Sequence, residues 1–434
     1  MESVRTEAID LNKQGEMLLK AGNPEAAKEK FDKAAELDPM CKDTYRNYGD
    51  YYVAKEQYQD AKNAYKKAML IEKEGLLYFL YGNVCFLNNE PHEGLENYNL
   101  AIANGYDSDE MMFFMGMAYE HMNDDNMALR YFQRACAKNP SRPDYLVKKI
   151  GAEIRLDMFD AVERDADQLI ASNPEYYDGY HIKTELLIHN KRFEEAAAFA
   201  GMASDKFPED ADLKYDHIKA TYLAGDTEKA LEMIQNAAGM KYFEKAKHKF
   251  ILLKAEIFAE KGEIDNAIAA CEECIGLETE EFFSGEARFI VLNLYLSKKE
   301  YEKSLEHALA IISREGRDVY YYAALFYKGF CLKQLGKAEE AKEAFIAASS
   351  IYRVQTIENP AAVDIYLYRA MTYKELGDYE NALSTLDFIS DLGVELAEAH
   401  LVKAEVYELT EKKVLAEKER AKAYELKPSL NPKQ

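Results

Sequence analysis

Cys271 and Cys274 form the single C-x-x-C of the chain, the spacing that can chelate zinc or cycle between dithiol and disulfide. A zinc site needs four ligands, and no second cysteine pair or histidine lies close by in sequence. A redox pair is expected at a helix N-terminus following a strand, a context the flanking residues do not supply. Both thiols therefore read as small buried apolar groups. The eight histidines (His92, His121, His181, His189, His217, His248, His307 and His400) are scattered, none at ligand spacing from another His or Cys. They are expected to pack or to sit on the surface. Asp and Glu total 78, so no carboxylate pair stands out for acid–base work. G-x-G-x-x-G, Walker A, H-E-x-x-H and G-x-S-x-G motifs are all absent. The expectation is a non-enzyme with no metal and no cofactor.

The elements that carry these residues are helices. Ala27, Phe31, Ala34 and Leu37 form an apolar stripe at three- and four-residue spacing, and Asp38-Pro39 ends it. Only ten prolines interrupt 434 residues, and apolar types at 48% with charged types at 31% describe a folded chain. The formal net charge of −23 has the wrong sign for phosphate backbones and for anionic lipid surfaces. The densest basic stretch, Lys412 to Lys422, alternates with glutamates and reads as a solvated helix face. No apolar run is long enough for a signal peptide or a membrane span. With six scattered cysteines, a reducing, cytoplasmic location is expected.

One short pattern recurs along the chain. Residues 8–41 place Leu11, Gly15 and Leu18 before Ala27, Phe31, Ala34 and Pro39. The next copies give Tyr45, Gly49, Tyr52, Ala61, Tyr65 and Ala68; then Gly82, Gly94, Tyr98 and Ala101; then Gly116, Tyr119, Ala128, Phe132, Ala135 and Pro140. The small second-helix position recurs at 27, 61, 94, 128, 162, 196, 230, 267, 304, 341, 382 and 416. Its spacing is 33–34 up to 230, then 37, 37, 37, 41 and 34. Around Gly151 the first helix reads as slipped by one residue. This frame resembles the tetratricopeptide repeat, in about twelve copies. The resemblance implies an all-α fold, an α-solenoid or superhelix of stacked antiparallel helix pairs. The change of spacing suggests two sub-arrays, 1–244 and 245–434, in one continuous superhelix. Arg420, where earlier copies place Phe or Tyr, reads as a terminal cap.

In the family, first helices line a concave groove, commonly with positions 2, 5, 9 and 12 of each repeat. Carried onto this chain, that frame presents Phe79, Asn83, Phe86, Phe113, Met117 and Glu120 in repeats three and four. A second apolar group comprises Phe289, Phe326, Phe330, Leu367 and Met371. Asp178, His181, Glu185, Asp212, Tyr215, Lys219, Leu252 and Glu256 form a mixed polar floor between them. The stretch Met111–Met117 is apolar all round, which suits either adaptable binding or inter-repeat packing; the second group leans to packing. Two specialised branches of the family do not fit. The clamp for acidic C-termini would have Glu16 at a lysine or asparagine position, and the asparagine ladder is broken by Lys13, Leu80 and Phe114.

The expected function is a scaffold that binds a peptide or helix of a protein partner, a basic one by charge, and neither nucleic acid nor membrane. A monomer is favoured. The alternative is a regulatory sensor that binds a short peptide or small ligand and relays a change of curvature to a separate chain.

Overall fold

The computed structural model describes residues 2–314 and 316–431. Among them all regular structure is helical: 25 α-helices, a closing 3-10 turn and no strand. Among the described residues the helices form eleven antiparallel pairs, with α13 and α14 following one another in the middle of the chain. In order these are α1 (Glu2–Lys20) with α2 (Pro24–Leu37), α3 (Lys42–Ala54) with α4 (Tyr58–Ile71), α5 (Gly75–Leu87) with α6 (Pro91–Ala103), and α7 (Asp109–His121) with α8 (Asp125–Lys138). Next come α9 (Pro143–Arg155) with α10 (Phe159–Ser172) and α11 (Asp178–His189) with α12 (Phe193–Lys206), then the helices α13 (Ala211–Leu223) and α14 (Thr227–Ala237). The short α15 (Lys241–Lys245) precedes α16 (Lys247–Glu260), paired with α17 (Ile264–Ile275). The last four pairs are α18 (Gly285–Ser297) with α19 (Tyr301–Ile312), α20 (Tyr321–Gln334) with α21 (Ala338–Glu358), α22 (Val363–Glu375) with α23 (Tyr379–Asp391), and α24 (Ala397–Leu409) with α25 (Lys413–Leu426). The chain divides into two compact units, Met1–Ala220 and Thr221–Gln434. Within each, the second helix of one pair packs on the first helix of the next. The inserted α15 falls where the repeat lengthens, and the 21-residue α21 accommodates the 41-residue step.

Five of the pairs are held by a glycine facing an aromatic ring sixteen positions later. Gly15, Gly49, Gly82, Gly116 and Gly329 lie under the rings of Phe31, Tyr65, Tyr98, Phe132 and Phe345. A Cβ at any of these glycines would come within 2.2–2.6 Å of the nearest ring carbon. The rings are buried, and each contributes about 1.5–3 kcal/mol by leaving water. Repeat five keeps the same spacing with the sizes exchanged: Ile150 on α9 is fully buried and so is Ala166 on α10. Leu292 and Ala308 repeat the exchange in α18 and α19. The first helix around Gly151 is therefore not slipped. Ile150 fills the glycine position, and a Cβ on Gly151 would meet only Arg155 Nη1, at 3.6 Å.

The turn inside every pair, and the connection between α13 and α14, passes through one residue with positive φ. These are Gly22, Glu56, Asn89, Asn123, Asp157, Lys191, Gly225, Gly262, Lys299, Gly336, Gly377 and Glu411. The left-handed residue lets the chain close on its own helix end. Asn23 donates to the Leu18 carbonyl at 2.9 Å, and Arg192 donates to that of Leu187 at 2.9 Å. At the far end of the chain, Arg420 replaces the expected ring and donates to Glu408 at 2.7 Å instead of entering a core.

Candidate functional site

Four of the six thiols are buried: Cys85, Cys271, Cys274 and Cys331. Cys271 and Cys274 are buried on α17, and burial pushes the Cys271 thiol up to about 12 and that of Cys274 up as well, so both stay protonated. Among the described residues, Cys85, Glu90 and Glu93 lie close enough together to hold a cation. That place is already taken by the Lys62 ammonium, 2.5 Å from Glu90 and 2.7 Å from Glu93. His400 is buried between two carboxylates, Nδ1 at 2.6 Å from Glu419 and Nε2 at 2.9 Å from Glu395. It ties α24 to α25 and to the turn before α24. Below α9, Lys149 bridges Asp165 and Glu153. Glu153 is buried with Oε2 unpartnered, and burial raises its carboxyl to about 7.

The first helices carry the surface expected to bind. Phe79 and Phe326 do not belong to it. They are 3% and 2% exposed and lie in the core. Phe79 stacks on Tyr106 at 5.0 Å; Phe326 packs among Phe330, Phe345 and Tyr368. Asn83 accepts a hydrogen bond from Tyr98 at 2.8 Å and so holds that ring on Gly82. Phe113 and Phe289, both half-buried, stack on Tyr145 and Tyr320 at 4.7 and 4.5 Å. In all three cases a tyrosine from the start of the next repeat covers the phenylalanine. Glu120 is held by Lys148 and Arg155, each at 2.9 Å. Phe86 meets His121 edge-on, and Phe86, Met117, Phe330, Leu367 and Met371 are half-buried. The Met111–Met117 stretch divides. Met111, Met112 and Met115 are fully buried, whereas Phe113, Phe114 and Met117 keep part of their surface in water.

The same row of first helices contains an open cavity of about 330 Å³. It is lined by Ile154 of α9, Phe159 and Val162 of α10, and His181, Ile182, Glu185, Leu186 and His189 of α11. His189 stacks on Phe159 at 4.1 Å. His181 Nδ1 lies 2.6 Å from Asp216 of α13, whose side chain is 1% exposed. That hydrogen bond raises the His181 pKa above its ordinary value, helped by the charges of Asp216, Glu185 and Asp212 and opposed by burial. Sequence placed His181 and Glu185 on a polar floor. The apolar walls escaped it, although Ile154 and Ile182 stand at first-helix positions of the same frame.

Two family models match the sequence that folds this way. A tetratricopeptide repeat model covers residues 12–73, and the ARM repeat of tetratricopeptide repeat protein 21 covers 245–416. The chain is a tetratricopeptide-repeat array. No curated protein matches the sequence of the array. Among solved structures, yeast Tom70 aligns over 95% of this chain and 96% of its own, with 13% identity and a TM-score of 0.50. The Cut9–Hcn1 hetero-tetramer of the APC/C aligns over 99% and 95%, with 13% identity and a TM-score of 0.43. YrrB, described as a TPR protein with an unusual peptide-binding site, aligns over 43% of this chain and 92% of its own, with 24% identity and a TM-score of 0.34. At these identities the likeness concerns the fold. No helix among the described residues is long and apolar enough to cross a membrane.

Proposed function

We propose that the array is a protein-interaction scaffold that holds a segment of a partner protein against the first helices of α5–α11. The observation that carries this is the partly wet apolar row on those helices (Phe86, Phe113, Met117 and Ile154), with an open cavity beside Ile154. Apolar side chains presented this way favour contact with another chain. The net charge of −23 supports a basic partner and disfavours nucleic acid. The buried, protonated Cys271 and Cys274 and the carboxylate-bound His181 and His400 support binding rather than catalysis. We read the array as a cytoplasmic monomer, a state suited to its six unpaired cysteines.

The test is capture from native lysate with the intact chain and with a Phe86→Ser/Met117→Glu variant of unchanged helical circular dichroism. Loss of a captured protein in the variant supports the reading. Identical capture moves the docking surface to Phe330, Leu367 and Met371 or to the second helices. The sensor reading draws on a different observation: a cavity of about 610 Å³ beside the inserted α15, lined by Phe243, Ile251, Lys254 and Phe258 among others. A ligand there that changes the radius of gyration in small-angle scattering would favour it.

A further inference from the structure

The cavity between α9, α10 and α11 has walls, a size and a charge that define its occupant more closely than the docking face does. Its 330 Å³ lies at the small end of ligand pockets, which run from about 300 to 1,000 Å³. That is room for one large side chain and not for a helix. Ile182, Leu186 and Phe159 make the interior apolar, and Ile154, 42% exposed, stands at the mouth. One edge is polar: His181, Glu185 and His189 follow one another at four-residue intervals on α11. His181 is fixed through Nδ1 by the buried Asp216, so its ring cannot swing away to enlarge or close the opening.

Carboxylates cluster around His181, and two of them are paired: Asp216 with His181 itself and Glu185 with Lys219. Asp212, Asp216 and Glu185 all act on His181. Asp178 lies one turn earlier on α11. On the cationic side, Lys219 reaches Glu185 at 3.2 Å, and Lys183 is turned away to Asp167. An apolar hole beside clustered carboxylates suits an apolar group with a cation next to it.

We propose that this cavity takes a single leucine- or phenylalanine-sized side chain of a partner polypeptide whose adjacent residues are lysine or arginine. This rests on the first-helix face being the docking surface, and it names what that surface selects. The apolar side chain supplies affinity by leaving water, and the flanking cation supplies choice of sequence through Glu185 and the neighbouring aspartates.

The experiment is an array of immobilised twelve-residue Gly/Ser peptides probed with the full chain. The central residue is Leu, Phe or Ala, and the flanks are Lys, Ser or Glu. Leu and Phe should be retained about ten- to a hundredfold better than Ala. Lys flanks should exceed Glu flanks by about two- to fivefold, as expected for an exposed ion pair. Ile154→Trp, which plugs the mouth from an exposed position, should abolish the Leu-over-Ala preference. Glu185→Lys should turn the flank preference toward Glu. Unchanged preferences in both variants overturn the proposal, as does retention of no peptide. If Met117→Glu abolishes peptide binding and Ile154→Trp does not, the docking face stands and the pocket assignment falls. Binding of N-acetyl-leucinamide with the same dependence on Ile154, without any selection among peptides, would assign a free small ligand and overturn it as well.

Discussion

Gly116→Ala tests the glycine-on-ring contact that recurs in five pairs of the array. A Cβ at this position would stand 2.5 and 2.6 Å from Cε1 and Cδ1 of Phe132. Carbon atoms in contact prefer about 3.5–4.0 Å, so the ring must retreat by about an ångström. Phe132 is fully buried, with Phe113 5.8 Å away, and has no free direction in which to move. Overpacking of this kind costs about 1–3 kcal/mol, while alanine in mid-helix regains about 1 kcal/mol over glycine. The net expectation is a loss of about 0–2 kcal/mol. In a Phe132→Leu background the clash is gone, and Gly116→Ala should become neutral or stabilising. The resulting coupling, about 2 kcal/mol, is well above the scatter of independent sites. Gly151→Ala is the control, because its Cβ meets only Arg155 Nη1 at 3.6 Å and should stabilise. Urea unfolding by circular dichroism, with hydrogen exchange resolved at α7 and α8, measures both changes. Equal effects of Gly116→Ala and Gly151→Ala would refute the argument that ring-on-glycine contact sets the spacing of the pairs.

Three further outcomes are expected. Lys191→Gly removes a side chain from a backbone at φ 58° and should stabilise by about 0.5–1 kcal/mol, read from the urea midpoint. Glu153 has a folded pKa near 7, above its unfolded value, so the folded state binds its proton more tightly and stability falls as pH rises from about 4.5 to 7. Glu153→Gln should flatten that slope and gain about 1–3 kcal/mol at neutral pH; an unchanged thermal midpoint against pH would contradict it. His400→Leu removes the hydrogen-bond partner of Glu419 and Glu395 and should loosen α25 by about 1–3 kcal/mol, seen as faster amide exchange in α24 and α25 but not in α3 to α8.

The pairing of helices was legible because it is written in residue size. Gly15 with Phe31, Gly49 with Tyr65 and Gly116 with Phe132 announce a close approach at a fixed interval. Where the sizes trade places, as in Ile150 and Ala166, the same packing leaves no glycine to see, and the register looked slipped. The turns behaved similarly. Gly22 and Gly336 advertise a left-handed residue, but Glu56, Lys191 and Lys299 adopt the same φ without any compositional sign, held there by the helix end. The binding face was read less well. A first-helix position predicts direction, yet exposure depends on the neighbouring repeat. Tyr106 covers Phe79, and Tyr145 and Tyr320 cover Phe113 and Phe289, from segments whose path sequence periodicity does not fix. The cavity beside Ile154 arises from three helices together and has no signature in any one of them.

The sixteen-residue link between small and large residues bears on how the chain comes off the ribosome. Each pair closes on itself, and the cross-links to the next first helix span about one repeat, as between Glu16 and Arg46 or Glu185 and Lys219. Contacts this local make for rapid folding. A repeat can therefore pack as soon as it and its successor have emerged, and each completed pair becomes the template for the one being synthesised. The unfinished chain then exposes one unpaired apolar helix face at a time, at its growing end, instead of a whole uncovered core.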